Sequence, residues 1–446
     1  MNSKPLTYDS LKTVLLYMDP NTRILLSSRA PSIHATEKTV PLKLEELKIG
    51  RHLIRVNGIF YKYGVYQVDQ RGKLPYQVSG SSKINFKWTC DVDEFGIPDY
   101  ITRDGGMLPG NNGRRELTLF GEYDAEIIPT NEGRLKKLKK KLAVAKREDK
   151  QMSNRNSDKL RSRMTRSEKL RIERIVKEES EYRKNGIERM ENELLPFENK
   201  RKNKRPKFEI HVTKKKGDSL SQVIERIKYT GDLHKAGKSL FEFMFGKRLF
   251  LIEVKELTLL QGCSTPSDFK MRIKHLDFSD DGPLELEQFK PIIHESSFPL
   301  EKLTIHKNYN AEKAMNHEII VNSKLLQLDG IVTLSHPFLQ NLQNQKVHAS
   351  IKELDFFKSE VFISLIRSWV ETNKPNGTCF TFSFWGCELK EKYCKEALTL
   401  IREQIDGAMR GNKCVNIPMR TSTKLKISYR RYENNDHLIE MAVVPS

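Results

Sequence analysis

Apolar positions recur at three- and four-residue steps near the start of the chain and turn to near-alternation after residue 50, so a helical period gives way to a strand period. Leu11, Val14, Leu15 and Met18 give a first helix one apolar face. Pro5-Leu6-Thr7 opens it, and Thr7 or Asp9 can accept a hydrogen bond from an unpaired backbone N–H. Asp19-Pro20-Asn21 ends it. Ile24, Leu25, Leu26 and, past Ala30-Pro31-Ser32, Ile33 form a second apolar cluster, and Leu42, Leu44 and Leu47 a third. About forty such residues cannot bury enough apolar surface to stand alone, so region 1–48 must pack on the rest of the chain or on a partner.

Residues 52–56 and 59–68 alternate and are rich in β-branched and aromatic side chains, with Gly58 as the turn between them. Residues 84–89 and 117–120 repeat the pattern between glycine-rich stretches, which predicts a small antiparallel β-rich region over 49–130. Residues 134–198 are charged and helical, with an apolar stripe too broken for a sustained coiled-coil seam, and Pro196 is expected to end the helix. A solvated helical or disordered linker over 131–207 follows.

Region 208–446 carries short strand-like runs beginning at Leu257, Leu276, Leu303, Leu326, Leu354 and Phe380, with helical stretches such as 286–294 and 360–370 between several of them. Their start-to-start spacings, 19 to 28 residues by subtraction, fall near the leucine-rich-repeat window. Each unit would hold one strand and one helix that cannot bury its apolar face alone, so stacking is forced. The expected class is α+β: helical N-terminus, small β-rich region, charged helical linker, and a C-terminal leucine-rich-repeat-like α/β domain. A compact α/β domain with a mixed sheet is the structural alternative.

Charge changes the picture only in one place. The chain has net charge +20, and residues 134–216 alone hold 30 Lys and Arg against 13 Asp and Glu, or +17, which leaves +3 for the rest. Lys200, Arg201, Lys202, Lys204, Arg205 and Lys207 pack six cations into eight positions and resemble a nuclear-import signal. Such a segment also binds phosphate chains weakly and in a salt-dependent way. Aromatic residues for base stacking are almost absent there, Tyr182 and Phe197 being isolated. A solvated spacer explains the same composition.

The six cysteines, Cys90, Cys263, Cys379, Cys387, Cys394 and Cys414, show no C-x-x-C spacing, so no zinc site is expected. With no apolar leader at the start, free thiols in a reducing compartment are expected, mostly in the core. No run reaches eighteen apolar residues, so no membrane span is expected. Phosphate loops, dinucleotide fingerprints and paired metal ligands are missing, and no cofactor or catalytic set is expected. His294 reads as a residue at a helix C-terminus. Cys387 and Cys394 read as buried thiols.

Pro5, Leu6, Leu11, Leu15, Met18, Asp19-Pro20, Arg23, Leu25 and Arg29 resemble the F-box consensus. With residues 29–33, Pro41-Leu42 and the leucine-rich C-terminal half, most of the chain outside its charged middle is similar to the nematode-expanded F-box C group. The resemblance implies a non-enzymatic adaptor, the substrate receptor of a cullin-based ubiquitin ligase. Pro5, Leu6, Leu11, Leu15, Met18 and Pro20 would dock on a Skp-type adaptor while the C-terminal half holds an unknown target protein. A cytoplasmic or nuclear location, or both, is expected. Two alternatives stand beside this: the opening helices are a cap on the downstream domain, or the chain is a basic nucleic-acid-associated scaffold.

Overall fold

The computed structural model describes residues 7–50, 52–69, 75–80, 91–97, 131–160, 166–260, 269–278, 286–306, 317–331, 336–351, 354–384, 391–420, 422–431 and 437–446. These form a mixed α+β architecture with a large mixed sheet. The chain divides into two compact units, residues 1–60, 216–218 and 238–446 in the first, and 61–215 and 219–237 in the second. The four regions drawn from the sequence do not coincide with these units.

The chain opens with α1 (Tyr8–Tyr17), α2 (Pro20–Arg29) and α3 (Pro31–Lys38), where the apolar spacing predicts helices. Local chemistry sets their ends. Thr7 caps α1 by accepting from the Ser10 N–H, Asp19 caps α2 by accepting from the Thr22 N–H, and Pro20 supplies a pre-set φ at the first turn. The strands are β1 (Lys43–Gly50), β2 (Leu53–Val56), β3 (Ile59–Gln67), β4 (Tyr76–Gly80), β5 (Phe208–Lys216), β6 (Gln222–Lys228), β7 (Ile252–Leu259), β8 (Met271–Phe278), β9 (Lys302–His306), β10 (Leu326–Ile331), β11 (Lys346–Ile351), β12 (Cys379–Phe384), β13 (Met409–Arg410), β14 (Cys414–Pro418), β15 (Thr423–Arg431) and β16 (His437–Pro445). Leu44 and Leu47, grouped with the opening helices by sequence, lie on β1 instead.

In the first unit the order is β13-β14-β15-β16-β12-β11-β10-β9-β8-β7-β1-β2. Neighbours from β12 to β1 run parallel and the pairs outside that block run antiparallel. One row of partners crosses the sheet from β14 to β2: Val415, Ile427, Met441, Phe380, Val347, Leu326, Leu303, Leu276, Leu257, Leu47 and Val56. None is more than 1% exposed. Because side chains alternate across a strand, a row aligned this way seals one face along its length.

A second regularity lies three residues before that row. Leu44, Val254, Ile273, Leu300, Ser323 and Asn344 are all buried, so apolar-x-x-apolar-x-apolar is the commonest form of the repeat. Ser323 and Asn344 are the polar members, and they engage each other: the Asn344 amide nitrogen donates to the carbonyls of Ile320 (2.7 Å) and Ser323 (3.2 Å) and to the Ser323 hydroxyl (3.1 Å).

The helix Glu360–Glu371 buries Phe362, Ile363, Leu365, Ile366 and Trp369, and the Trp369 ring meets Phe380 edge-on at 4.7 Å between centroids. The strand expected at Leu354 is corrected. Leu354–Lys358 is a short 3-10 helix that turns Phe356 and Phe357 inward, and the strand of that unit is β11, eight residues earlier by start position.

In the second unit β3 pairs antiparallel with β4, and β5 with β6. The strand-like stretches at 84–89 and 117–120 lie outside the described residues. The charged segment forms two long helices, Asn131–Leu160 and Arg166–Arg201, packed antiparallel. Leu135, Leu138, Leu194 and Phe197 close a core with Ile97, and Arg183 meets Asp149 at 3.1 Å further along. Pro196 does not end the helix. Leu194 and Phe197 are buried on either side of it, and that packing offsets the hydrogen bond that proline removes.

Candidate functional site

On α1, Leu15 is fully buried, whereas Leu11, Met18 and Pro20 are half-buried. Leu15 is therefore a root of the helix and not part of its free face, which corrects its place among the expected docking residues. Pro5 and Leu6 lie outside the described residues. The apolar side chains that α1 does expose are Tyr8, Val14, Leu16 and Tyr17. At 100° per residue Val14 and Tyr17 stand on the flank beside Leu11 and Met18. Tyr8 and Leu16 stand on the other flank, and Lys12 lies 4.2 Å from the Tyr8 ring centroid.

What roots α2 and α3 is a buried charge cluster. Glu37, on α3, receives Arg23 of α2 at 3.0 Å and Arg248 at 2.8 and 2.9 Å, and all three side chains are at most 3% exposed. Arg23 also donates to the Pro41 and Val40 carbonyls, and Arg248 to that of Met244. Lys38 donates to the carbonyls of Phe243 and Met244. Burial, reinforced by the nearby Arg248, pushes the Lys38 amine down to about 8. The His34 ring stacks on Phe243 and is held below its ordinary value by burial, then by Lys38. Asn21 adds a hydrogen bond to the Val56 carbonyl on β2.

The opposite face of the parallel block, called outward below, carries a polar row in the same register: Lys48, Thr258, Asp277, Thr304, Gln327, His348 and Thr381, of which Thr258 and Thr304 are buried and the others half-buried. His306 lies 3.1 Å from Asp277, and that hydrogen bond raises its pKa. Gln327 donates to both carboxylate oxygens of Asp329. His348 has the Thr381 hydroxyl at 2.8 Å from Nδ1 and the Ser383 hydroxyl at 3.1 Å from Nε2, and burial holds its pKa low. A neutral imidazole bracketed by two hydroxyls has no carboxylate on Nδ1, so the Ser383–His348 pair lacks the third member of a nucleophile relay.

His294 sits between two 3-10 turns and caps the second, its Nδ1 accepting from the Ser296 N–H. This replaces the expected helix C-terminus. Cys394 is buried, and burial pushes its thiol up to about 12. Cys379 and Cys414 are free thiols, and Cys90, Cys263 and Cys387 lie outside the described residues. Among the described residues no three His, Cys, Asp or Glu groups stand where they could share a metal ion. No described helix is long and apolar enough to cross a membrane.

Lys200, Arg201, Lys202, Lys204, Arg205 and Lys207 are all exposed. The first two end the second long helix, and the rest follow in a turn leading to β5, where Arg205 lies 3.6 Å from Glu94. Sequence reading located this cluster but missed Val14 and Tyr17 as the exposed side chains of α1, and it missed the charge cluster altogether. A helical wheel centred on Leu15 separates root from flank. Nothing local joins Glu37 to Arg248.

Residues 232–385 match a family model described as a domain of unknown function (DUF3557). That span covers helix Leu233–Phe245 and the strands β7 to β12. No curated protein and no solved structure matches the chain.

Proposed function

We propose that this chain is a non-enzymatic recruiting receptor, whose α1 flank docks on a Skp-type adaptor of a cullin-based ubiquitin ligase and whose outward sheet face holds a target protein. The observation that carries it is the division of α1: Leu15 is rooted inside while Val14 and Tyr17 remain exposed beside Leu11 and Met18. Interfaces concentrate affinity in a few such side chains, with aromatic anchors enriched. The resemblance of the opening helices to the F-box names the adaptor. The apolar-x-x-apolar-x-apolar register and the parallel strand order support a leucine-rich-repeat-like reading of the sheet. Its outward row, with His306, Asp329 and His348, is then the target surface. Exposure of the Lys200 to Lys207 cations supports entry to the nucleus as well as residence in the cytoplasm.

The test is co-purification of the full chain with a purified Skp-type adaptor. Val14→Asp with Tyr17→Asp should abolish it while leaving the melting temperature within a few degrees of the parent, because both positions face solvent. Leu15→Asp is unsuitable, since it would place a charge in the core. Adaptor capture that survives the double substitution would sink the docking reading.

A further inference from the structure

The antiparallel pairing of the two long helices brings together cations that lie some sixty residues apart in sequence. Leu135 and Leu138 at the start of the first helix share one core with Leu194 and Phe197 near the end of the second. Lys136, Lys139, Lys140 and Lys141 therefore stand at the same end of the hairpin as Lys200, Arg201, Lys202, Lys204, Arg205 and Lys207. All ten are exposed. No carboxylate occurs between Arg134 and Arg147, or between Asn199 and Phe208. The far part of the second helix is different: residues 166–193 hold eight cations and eight carboxylates. The positive charge of the hairpin is gathered at its base.

We infer that this base is a composite site for the phosphate backbone of a nucleic-acid duplex, built from both helix ends and going beyond the recruiting role. Packed helices lie about 8–10 Å apart, so the two runs of cations, each a row along the chain, stand side by side on a scale comparable to the groove widths of a duplex, about 6 and 12 Å. A single acidic peptide has one strand of charge and would satisfy one row. A duplex has a phosphate row on either side of each groove. Single-strand binding relies on bases stacking on aromatic rings, and the exposed aromatic among the described hairpin residues is Tyr182, outside the base. A Debye length of about 8 Å at physiological ionic strength lets neighbouring rows act on the same ligand while the balanced far end contributes little.

The test is fluorescence anisotropy of the full chain with a labelled 20-base-pair DNA duplex, repeated across salt concentrations. Three variants are compared, each losing four cations: Lys136, Lys139, Lys140 and Lys141 to Gln; Lys200, Arg201, Lys202 and Lys204 to Gln; and, at the balanced end, Arg171, Arg174, Lys177 and Lys184 to Gln. Each base variant should reduce the slope of log affinity against log salt by about 2 to 4, at about 0.9 per phosphate neutralised, and weaken binding more than tenfold at low salt. The far-end variant should leave the slope within about 1 of the parent. Because all twelve positions are exposed, unchanged circular dichroism serves as the folding control. A far-end variant that loses as much as the base variants would show only diffuse net charge. A base variant with an unchanged slope, a parent that does not bind the duplex at low salt, or displacement by polyglutamate as effective as by unlabelled duplex of equal charge would each overturn the assignment.

Discussion

Replacing Glu37 by Gln is the sharpest perturbation of the first unit. The carboxylate lies 2.8 to 3.0 Å from two guanidinium groups, and the three side chains are at most 3% exposed. With an effective dielectric near 20, one unit pair at 3 Å is worth about 5 kcal/mol, and removing one member of a buried ion set typically costs about 3–5 kcal/mol because the remaining charges stay buried without a counter-charge. Here two cations would be left, and the Gln oxygen could serve only one of them well. Against a total stability of about 5–15 kcal/mol, such a loss is a large share.

Equilibrium unfolding in urea followed by circular dichroism reads the effect. With a slope of about 3 kcal/mol per molar for a unit of this size, the midpoint should fall by about 1 to 1.7 M. Amide exchange in α2 and α3 should accelerate before that of β8 or β9, because the cluster roots those helices. A second variant separates charge burial from packing: Arg23→Met, Glu37→Leu and Arg248→Met together remove the ion triad, leaving only the Lys38 amine on its two carbonyls, and should recover most of the loss, as buried ion sets replaced by apolar groups often do. If Glu37→Gln leaves the midpoint within about 0.2 M of the parent, the three groups are solvated and the rooting role is wrong.

Three further outcomes follow from the same core. Lys38 has a folded value of about 8 against an ordinary 10.5, so below pH 8 its amine is charged in both states and the burial penalty stands in full. Between those values the unfolded chain binds more protons, and the unfolding free energy climbs with pH. The stability difference between Lys38→Met and the parent should therefore change in the parent's favour from pH 8 to 10.5, and a flat difference refutes it. Trp369→Ala removes the largest fully buried side chain among the described residues and should cost about 3–5 kcal/mol, whereas Tyr182→Ser, at a position 82% exposed, should stay within about 0.5, both read from thermal melts. Asn344→Leu takes the amide donor from the Ser323 carbonyl, while the Ile320 carbonyl keeps the Ser323 hydroxyl, and should cost about 1–2 kcal/mol in urea unfolding; a neutral result would mean that the Ser323 carbonyl is not dependent on Asn344.

How much of this was readable beforehand depends on where the energy that fixes each feature lies. The ends of α1 and α2 were legible because Thr7, Asp19 and Pro20 act on residues two or three positions away. Five of the six leucine-type strands were legible because alternation is itself local. The sixth misled: Leu-Asp-Phe-Phe alternates well enough to mimic a strand, while β11 hides behind Asn344 and His348, polar residues that are tolerated because carbonyls and hydroxyls of neighbouring turns and strands engage them. Pro196 breaks a local rule for the same reason, its helix being held by side chains from a helix some sixty residues earlier.

Long-range partners also explain why the candidate sites were harder to read than the fold. The pairing of Glu37 with Arg248 spans 211 residues and leaves no periodic trace. The inward row of the sheet must be apolar in every strand, so it repeats and is visible. The outward row faces no such demand. Its side chains change in charge and size from Lys48 to Thr381, so no spacing announces it. The hairpin obeys the same logic, since its two basic runs look like separate solvated stretches until Leu138 and Phe197 are packed together.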